Sequence, residues 1–318
     1  MTGAATGRRP GSVGVHSIDH FGLIVPDLEA AGRFYELFGL RVQKDPGALQ
    51  LRTETDPHCW GLIRQGPVKR LSYLSFGIYA EDEPAIRSRL ASAGVRSIEA
   101  PPGAEPGGWW IAGFDSLPIN LRVAAKSSPD RKSAFTAVST EPGESGAILN
   151  SRAPRIHPRR LSHVAIFTSS ISEAIAFYVS ALGLRLSDRG GDGVAFLHGP
   201  HGSDHHMLAL VASDHRGLHH VSWDVGSVQD VGLGAAQMAR GGYADGWGLG
   251  RHVLGANYFH YVRDPWGSYS EYSADIDFIP ADCDWPAQDH APEDAMYLWG
   301  PPPPADFATN HEPAQDLA

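Results

Sequence analysis

IDHFGLIVPDLEAAGRFYELFGLRV, Ile18 to Val42, returns as LSHVAIFTSSISEAIAFYVSALGLRL, Leu161 to Leu186. His20 aligns with His163, and Phe34-Tyr35 with Phe177-Tyr178, at an offset of 143 residues in both cases. Internal repetition outranks any local reading, because it signals duplicated structural units. Each copy reads as a β-rich run, a turn, an amphipathic helix and a glycine stop. Asp27 after Pro26, and Ser169-Ser170 after Thr168, are helix-start residues, whose short side chains accept from the free N–H groups of a first turn. Gly39 and Gly183 stand where a chain turns left-handed to leave a helix. β-rich segments cut by Gly, Pro and Asp follow each helix.

A second strand and helix follow in each half: LSYLSFGIYA with EDEPAIRSRLASAGV, and LHHVSWDV with SVQDVGLGAAQMARGGY. The expected fold is therefore α+β, with four βαβββ modules paired into two domains, each an incomplete barrel of mixed sheet. The expected division is a flexible lead-in over 1–15, a first domain over 16–125, a linker over 126–158, a second domain over 159–280 and an extension over 281–318. The prolines at 301–304 forbid a long helix near the end. The extension is expected to wrap the surface, with its last ten or so residues mobile.

Composition narrows the function. The 318 residues carry a formal net charge of −10, which opposes a broad nucleic-acid surface. Only two cysteines occur, Cys59 and Cys283, too few for a disulfide framework and not spaced as a metal pair. A reducing, cytoplasmic setting is expected. No apolar run is long enough for a membrane span, and the N-terminus lacks the apolar core of a secretory signal.

Histidines and one glutamate carry the chemistry. His163 opens the strand of the second repeat copy, and His219-His220 open the next strand of that half. Alternation puts His219 with Val221, Trp223 and Val225 on a face expected to pack under helices, and His220 on the other with Leu218 and Ser222. Glu271 follows an Asp-Pro-x-Gly turn between Tyr269 and Tyr272, where an unpartnered carboxylate is costly. Two imidazoles and one carboxylate on separate strands form a set that holds a metal and leaves one of its faces open, as non-heme Fe(II) oxygenases require.

The run GRHVLGANYFHYVRDPWGSYSEYSADID, Gly250 to Asp277, resembles the signature of the type I extradiol ring-cleavage dioxygenases of the vicinal oxygen chelate superfamily. Gly250, His252, Tyr261, Asp264, Pro265, Gly267 and Glu271 are in register with it, and His260 departs from it where an apolar residue is usual. The resemblance covers the second half and, more weakly, the repeat in the first. It implies two vicinal-oxygen-chelate domains. It also implies cleavage of a catechol ring by O2 beside its two hydroxyls, at Fe(II) or, with the same ligands, Mn(II). Carried over by position, His163, His220 and Glu271 match the metal ligands. His206, 14 residues before His220, matches the acid–base histidine, with His205 as its rival. His252 and Tyr261 match residues that hydrogen-bond substrate and oxygen. His201, His215 and His219 are read as bystanders.

In the first half Tyr73 stands opposite His20, and Asn120 or Arg122 holds the carboxylate position, so that half is expected to be a metal-free scaffold. Arg33, Arg41 and Arg52 are read as solvated faces. Trp60, Trp109, Trp110, Trp247 and Trp266 are candidates for an aromatic pocket. The implied partner is a small aromatic diol, in a homo-oligomer. The alternatives are a glyoxalase- or epimerase-like enzyme of the same superfamily, or a binding protein without catalysis.

Overall fold

The computed structural model describes residues 7–137 and 139–314. The first half runs β1 (Ser17–Val25), α1 (Leu28–Phe38), β2 (Arg41–Asp45), β3 (Ala48–Arg52), β4 (Gly61–Gln65), β5 (Arg70–Ile78), α2 (Glu83–Ser92), β6 (Trp109–Ala112) and β7 (Pro118–Val123). The second runs β8 (Arg160–Thr168), α3 (Ile171–Leu182), β9 (Arg185–Gly190), β10 (Val194–His198), β11 (Ser203–Asp204), β12 (Leu208–Ala212), β13 (Gly217–Asp224), α4 (Val228–Arg240), β14 (Gly246–His252), β15 (Tyr258–Arg263) and β16 (Tyr269–Ala274). Then come β17 (Phe278–Ile279), β18 (Gln288–Asp289) and β19 (Tyr297–Trp299). No helix among the described residues is long and apolar enough to cross a membrane.

The helix boundaries follow the chemistry read from the repeat. Asp27 accepts from the N–H groups of Glu29 and Ala30 at the start of α1, and Ser170 from that of Glu173 at the start of α3. Gly39 (φ 100°) and Gly183 (φ 75°) end them in left-handed geometry, which a side chain at Cβ disfavours.

Two open mixed sheets result. The seven-stranded sheet has the order β2-β3-β4-β1-β5-β7-β6, and the ten-stranded sheet β18-β9-β10-β12-β8-β13-β16-β15-β14-β19. Their centres correspond. β1 runs parallel to β4 and antiparallel to β5, and β5 parallel to β7. β8, β12, β13 and β16 repeat that pattern. In the module begun by β5, the single bridge Ser97 to Ile111 stands where a strand follows the helix elsewhere.

The halves share one apolar core. The Tyr272 ring stacks on Phe38 at 3.9 Å, and its hydroxyl donates to the Phe38 carbonyl at 2.8 Å. Gly234 on α4 leaves room for that ring, since a Cβ there would lie 2.8 Å from it.

Both ends of the chain depart from expectation. The lead-in was expected to be flexible, but Val15 is fully buried and Arg8 pairs with Asp82, because its apolar residues have core to fill. Residues 1–6 lie outside the described residues. The extension does not simply wrap the surface. β18 and β19 form the two edges of the larger sheet, where unpaired backbone groups find partners. Glu312 is buried, accepting from the backbone N–H groups of Leu71 and Leu218 and from Lys69 Nζ at 2.7 Å. Of the last ten or so residues, expected to be mobile, Glu312 makes these buried contacts, and 315–318 lie outside the described residues.

Candidate metal centre

Strand register assembles the site. His163 on β8 pairs with Ser222 on β13, Ser222 with Glu271 on β16, and Glu271 with Tyr261 on β15. Paired residues point to one face of a sheet, so this row aims three functional side chains into the same concavity. His220 lies two residues along β13 from Ser222, on the same face. One ligand atom from each of His163, His220 and Glu271 fits within 4.8 Å of the others. The Nε2 atoms of His163 and His220 are 3.1 Å apart, and Glu271 Oε2 lies 3.3 Å from the former and 3.8 Å from the latter.

The donor set fits a divalent cation. Glu271 is completely buried, yet its Oε2 has no hydrogen-bond partner. Its Oε1 accepts from Asn257 Nδ2 at 3.0 Å. Burial pushes the Glu271 pKa up, but the neighbouring His163 and His252 outweigh it and hold the carboxyl below its ordinary value. Burial, then the nearby His219, His163 and His252, push the His220 pKa far down. A carboxylate beside the bare imidazole nitrogen of His220 is a protonation state that suits a metal site.

The other predicted residues gather around this centre. His206 lines the cavity with its ring 4.1 Å from that of His163. Its pKa is driven well down, by burial above all. His205 points away from the cavity and joins Asp188 at 2.9 Å. His252 Nε2 is 2.9 Å from the Tyr261 hydroxyl, and its Nδ1 donates to the Met296 carbonyl at 2.7 Å. The cavity is about 320 Å³, walled by Val194, Phe196, Leu254, Trp247 and Phe307. Of the tryptophans proposed for a pocket, Trp247 lines it. Trp60 and Trp110 are buried in the first half, Trp109 lies under Arg87, and Trp266 packs against the core.

Sequence reasoning missed three features. His219 is not on a helix-covered face: β13 bulges there, so alternation restarts and His219 joins His220 on the cavity side, Nδ1 to Nδ1 at 2.7 Å. Asn257 sat unremarked inside the signature run. Met296 and Phe307 reach the cavity from the extension, which carries no periodic signal.

The first half shows the same places without the donors. His20 Nε2 meets the Tyr73 hydroxyl at 3.0 Å, where His163 meets His220. Asn120 pairs with Ser75 as Glu271 pairs with Ser222, so Asn120, not Arg122, holds the carboxylate position. Asn120 is satisfied by Ser75 and the Gly107 carbonyl.

Fold and site define a class: duplicated modules whose second half presents a His, His and Glu set that could hold a metal. The model of the Glyoxalase/Bleomycin resistance protein/Dioxygenase superfamily matches residues 160–272. Metapyrocatechase 2 from Cupriavidus necator is 50% identical over 298 residues, 94% of this chain and 93% of its own. The Mn(II)-bound glyoxalase from Novosphingobium aromaticivorans superposes with a TM-score of 0.73 at 25% identity, over 96% of this chain and 97% of that one. The homoprotocatechuate 2,3-dioxygenase of Brevibacterium fuscum, as its E323L mutant, gives 0.75 at 20% identity, over 97% and 86%. The chain belongs to the metapyrocatechase family of extradiol ring-cleavage dioxygenases, within that superfamily.

Proposed function

We propose that this enzyme opens an uncharged catechol beside its vicinal hydroxyls, at Fe(II) held by His163, His220 and Glu271. The observation that carries this reading is the row His163, Ser222, Glu271 and Tyr261 across four strands, with His220 beside it. When bound, the ion supplies Lewis acidity and electron coupling between diol and O2. The same ligands also accept Mn(II).

The protein's part is positioning, water exclusion and proton handling. Tyr261 and His252, already hydrogen-bonded to one another, orient a diol oxygen. His206, on the cavity wall, takes up a hydroxyl proton and returns it to oxygen as the O–O bond breaks. Val194, Phe196, Leu254 and Phe307 exclude water and contact the ring. Among the described residues lining the cavity there is no Arg or Lys, which favours a catechol without a carboxylate.

We read the first half as a scaffold and the enzyme as a cytosolic homo-oligomer. The two isolated cysteines support a reducing compartment. Leu298 and Trp299, 67% and 44% exposed on the edge strand β19, support a protein–protein contact, testable by light scattering.

The test is anaerobic reconstitution with Fe(II) or Mn(II), then O2 uptake with catechol, 3-methylcatechol, 2,3-dihydroxybiphenyl and a carboxylate-bearing catechol. Stoichiometric O2 uptake and a yellow ring-opened product with the uncharged diols are expected. A metal-loaded enzyme inert to all of them would overturn the reading.

A further inference from the structure

Behind His206 lies a buried polar chain that the reaction described above does not use. His205 Nδ1 is 3.1 Å from His206 Nδ1, and His205 Nε2 is 2.9 Å from Asp188 Oδ2. The two rings stand at 90° with their centroids 5.4 Å apart. Asp188 is itself held by the extension, accepting from His290 Nε2 at 3.0 Å, the Gln288 N–H at 3.0 Å and Trp285 Nε1 at 3.2 Å. Asp188, His205 and His206 are all buried.

We propose that Asp188 and His205 set the tautomer of His206, so that His206 presents a bare Nε2 to the cavity. A carboxylate only accepts, so His205 turns Nε2–H toward Asp188. With one proton on each ring, His205 Nδ1 is then bare and accepts. His206 therefore carries its proton on Nδ1, and Nε2 is the nitrogen left to face the cavity. When a diol hydroxyl transfers its proton to Nε2, the ring becomes a cation whose Nδ1–H still donates to His205. Both are positioning residues: neither lines the cavity, and each acts through His206.

The inference rests on the role given to His206 under Proposed function, and its test separates the two. The full-length protein, loaded with Zn(II) as a diamagnetic ion suited to imidazole and carboxylate ligands, is labelled with 15N and its imidazole tautomers are read by NMR. The expected wild-type form of His206 is Nδ1–H. Asp188→Asn places an amide N–H against His205 Nε2 and reverses the chain, so His206 becomes Nε2–H. In the Fe(II) enzyme, kcat is then expected to fall about 100-fold, with KM and metal binding within about threefold, as for a misoriented catalytic histidine. His205→Leu is expected to lose as much. His205→Asn, whose Oδ1 stands where Nδ1 stood, is expected to stay within about fivefold of wild type.

Wild-type His206 as Nε2–H, a doubly protonated His205, or Asp188→Asn turning over at the wild-type rate would each overturn the inference. Should the wild-type chain take up neither Zn(II) nor Fe(II), the metal reading fails instead. The tautomer spectrum of the metal-free chain then still decides this one.

Discussion

The two halves of the molecule share central strand order, register and even bulge positions, yet among the described residues only the second brings together a His, His and Glu set that could hold a metal. β1 bulges at Asp19 and β8 at Ser162, each one residue before the histidine, and β5 and β13 bulge at Ser72 and His219, before Tyr73 and His220. The difference lies in two side chains: Tyr73 for His220 and Asn120 for Glu271. In the first half the hydroxyl of Tyr73 satisfies His20, and Asp19 takes the other ring nitrogen at 2.6 Å, so every donor finds a partner within the protein. In the second half the carboxylate oxygen Oε2 is left over. The cavities follow suit, about 320 Å³ against about 10 Å³ beside Tyr73. A duplicated fold thus supplies two sites, and polar satisfaction decides which becomes packed structure and which a reaction vessel.

Breaking the comparison at its centre has the largest expected effect. Glu271→Asn gives the second half the residue of the first, and metal affinity should fall by more than about 1000-fold, with ring cleavage lost. Metal content after gel filtration checks it, and a stoichiometric ion in the variant would remove Glu271 from the ligand set. Next comes His206→Phe, which leaves the ligands in place. It should retain the metal and lose about 100- to 10,000-fold in kcat. Turnover at the wild-type rate would be incompatible with the acid–base role.

The third prediction breaks the contact between the halves. Phe38→Ala removes the ring under Tyr272 and should destabilise the protein by about 3–5 kcal/mol, read from a urea melt. A loss below about 1 kcal/mol would mean that the halves are held together elsewhere.

The smallest effect per residue concerns acid. Burial, ahead of any charge, depresses His198 to about 3 and His260 to about 4 in the second half, and His16 to about 4 in the first. Their ordinary value is 6.5, so between the two values the unfolded chain binds more protons than the folded one. Stability is therefore full above about pH 6.5 and falls as the pH drops toward 4. The fully buried His16 and nearly buried His198 should each remove about 2 kcal/mol by pH 5. Thermal melts between pH 7 and 5 measure this, and His198→Gln should flatten part of the slope. An unchanged melting temperature across that range would contradict it.

Much of this was legible in the chain. The repeat, its caps at Asp27, Ser170, Gly39 and Gly183, and the triad His163, His220 and Glu271 follow from spacing, alternation and a signature run, because each is a local or periodic property. The replacement of a ligand position in the first half was visible at Tyr73, but the choice of Asn120 over Arg122 needed the register of β7 against β5. The bulge at His219 was not legible, since one extra residue shifts a face without changing composition. Nor was the arrival of Met296 and Phe307 at the cavity, or of Trp285 and His290 at Asp188. Such contacts join segments about 50 to 100 residues apart with no shared period. By itself, then, the order of residues determined which modules form and which side chains, His163, His220 and Glu271, come together as a set that could hold a metal. Tertiary structure alone decided which nitrogen faces the cavity and what closes over it, because those depend on which distant donors a buried acceptor meets.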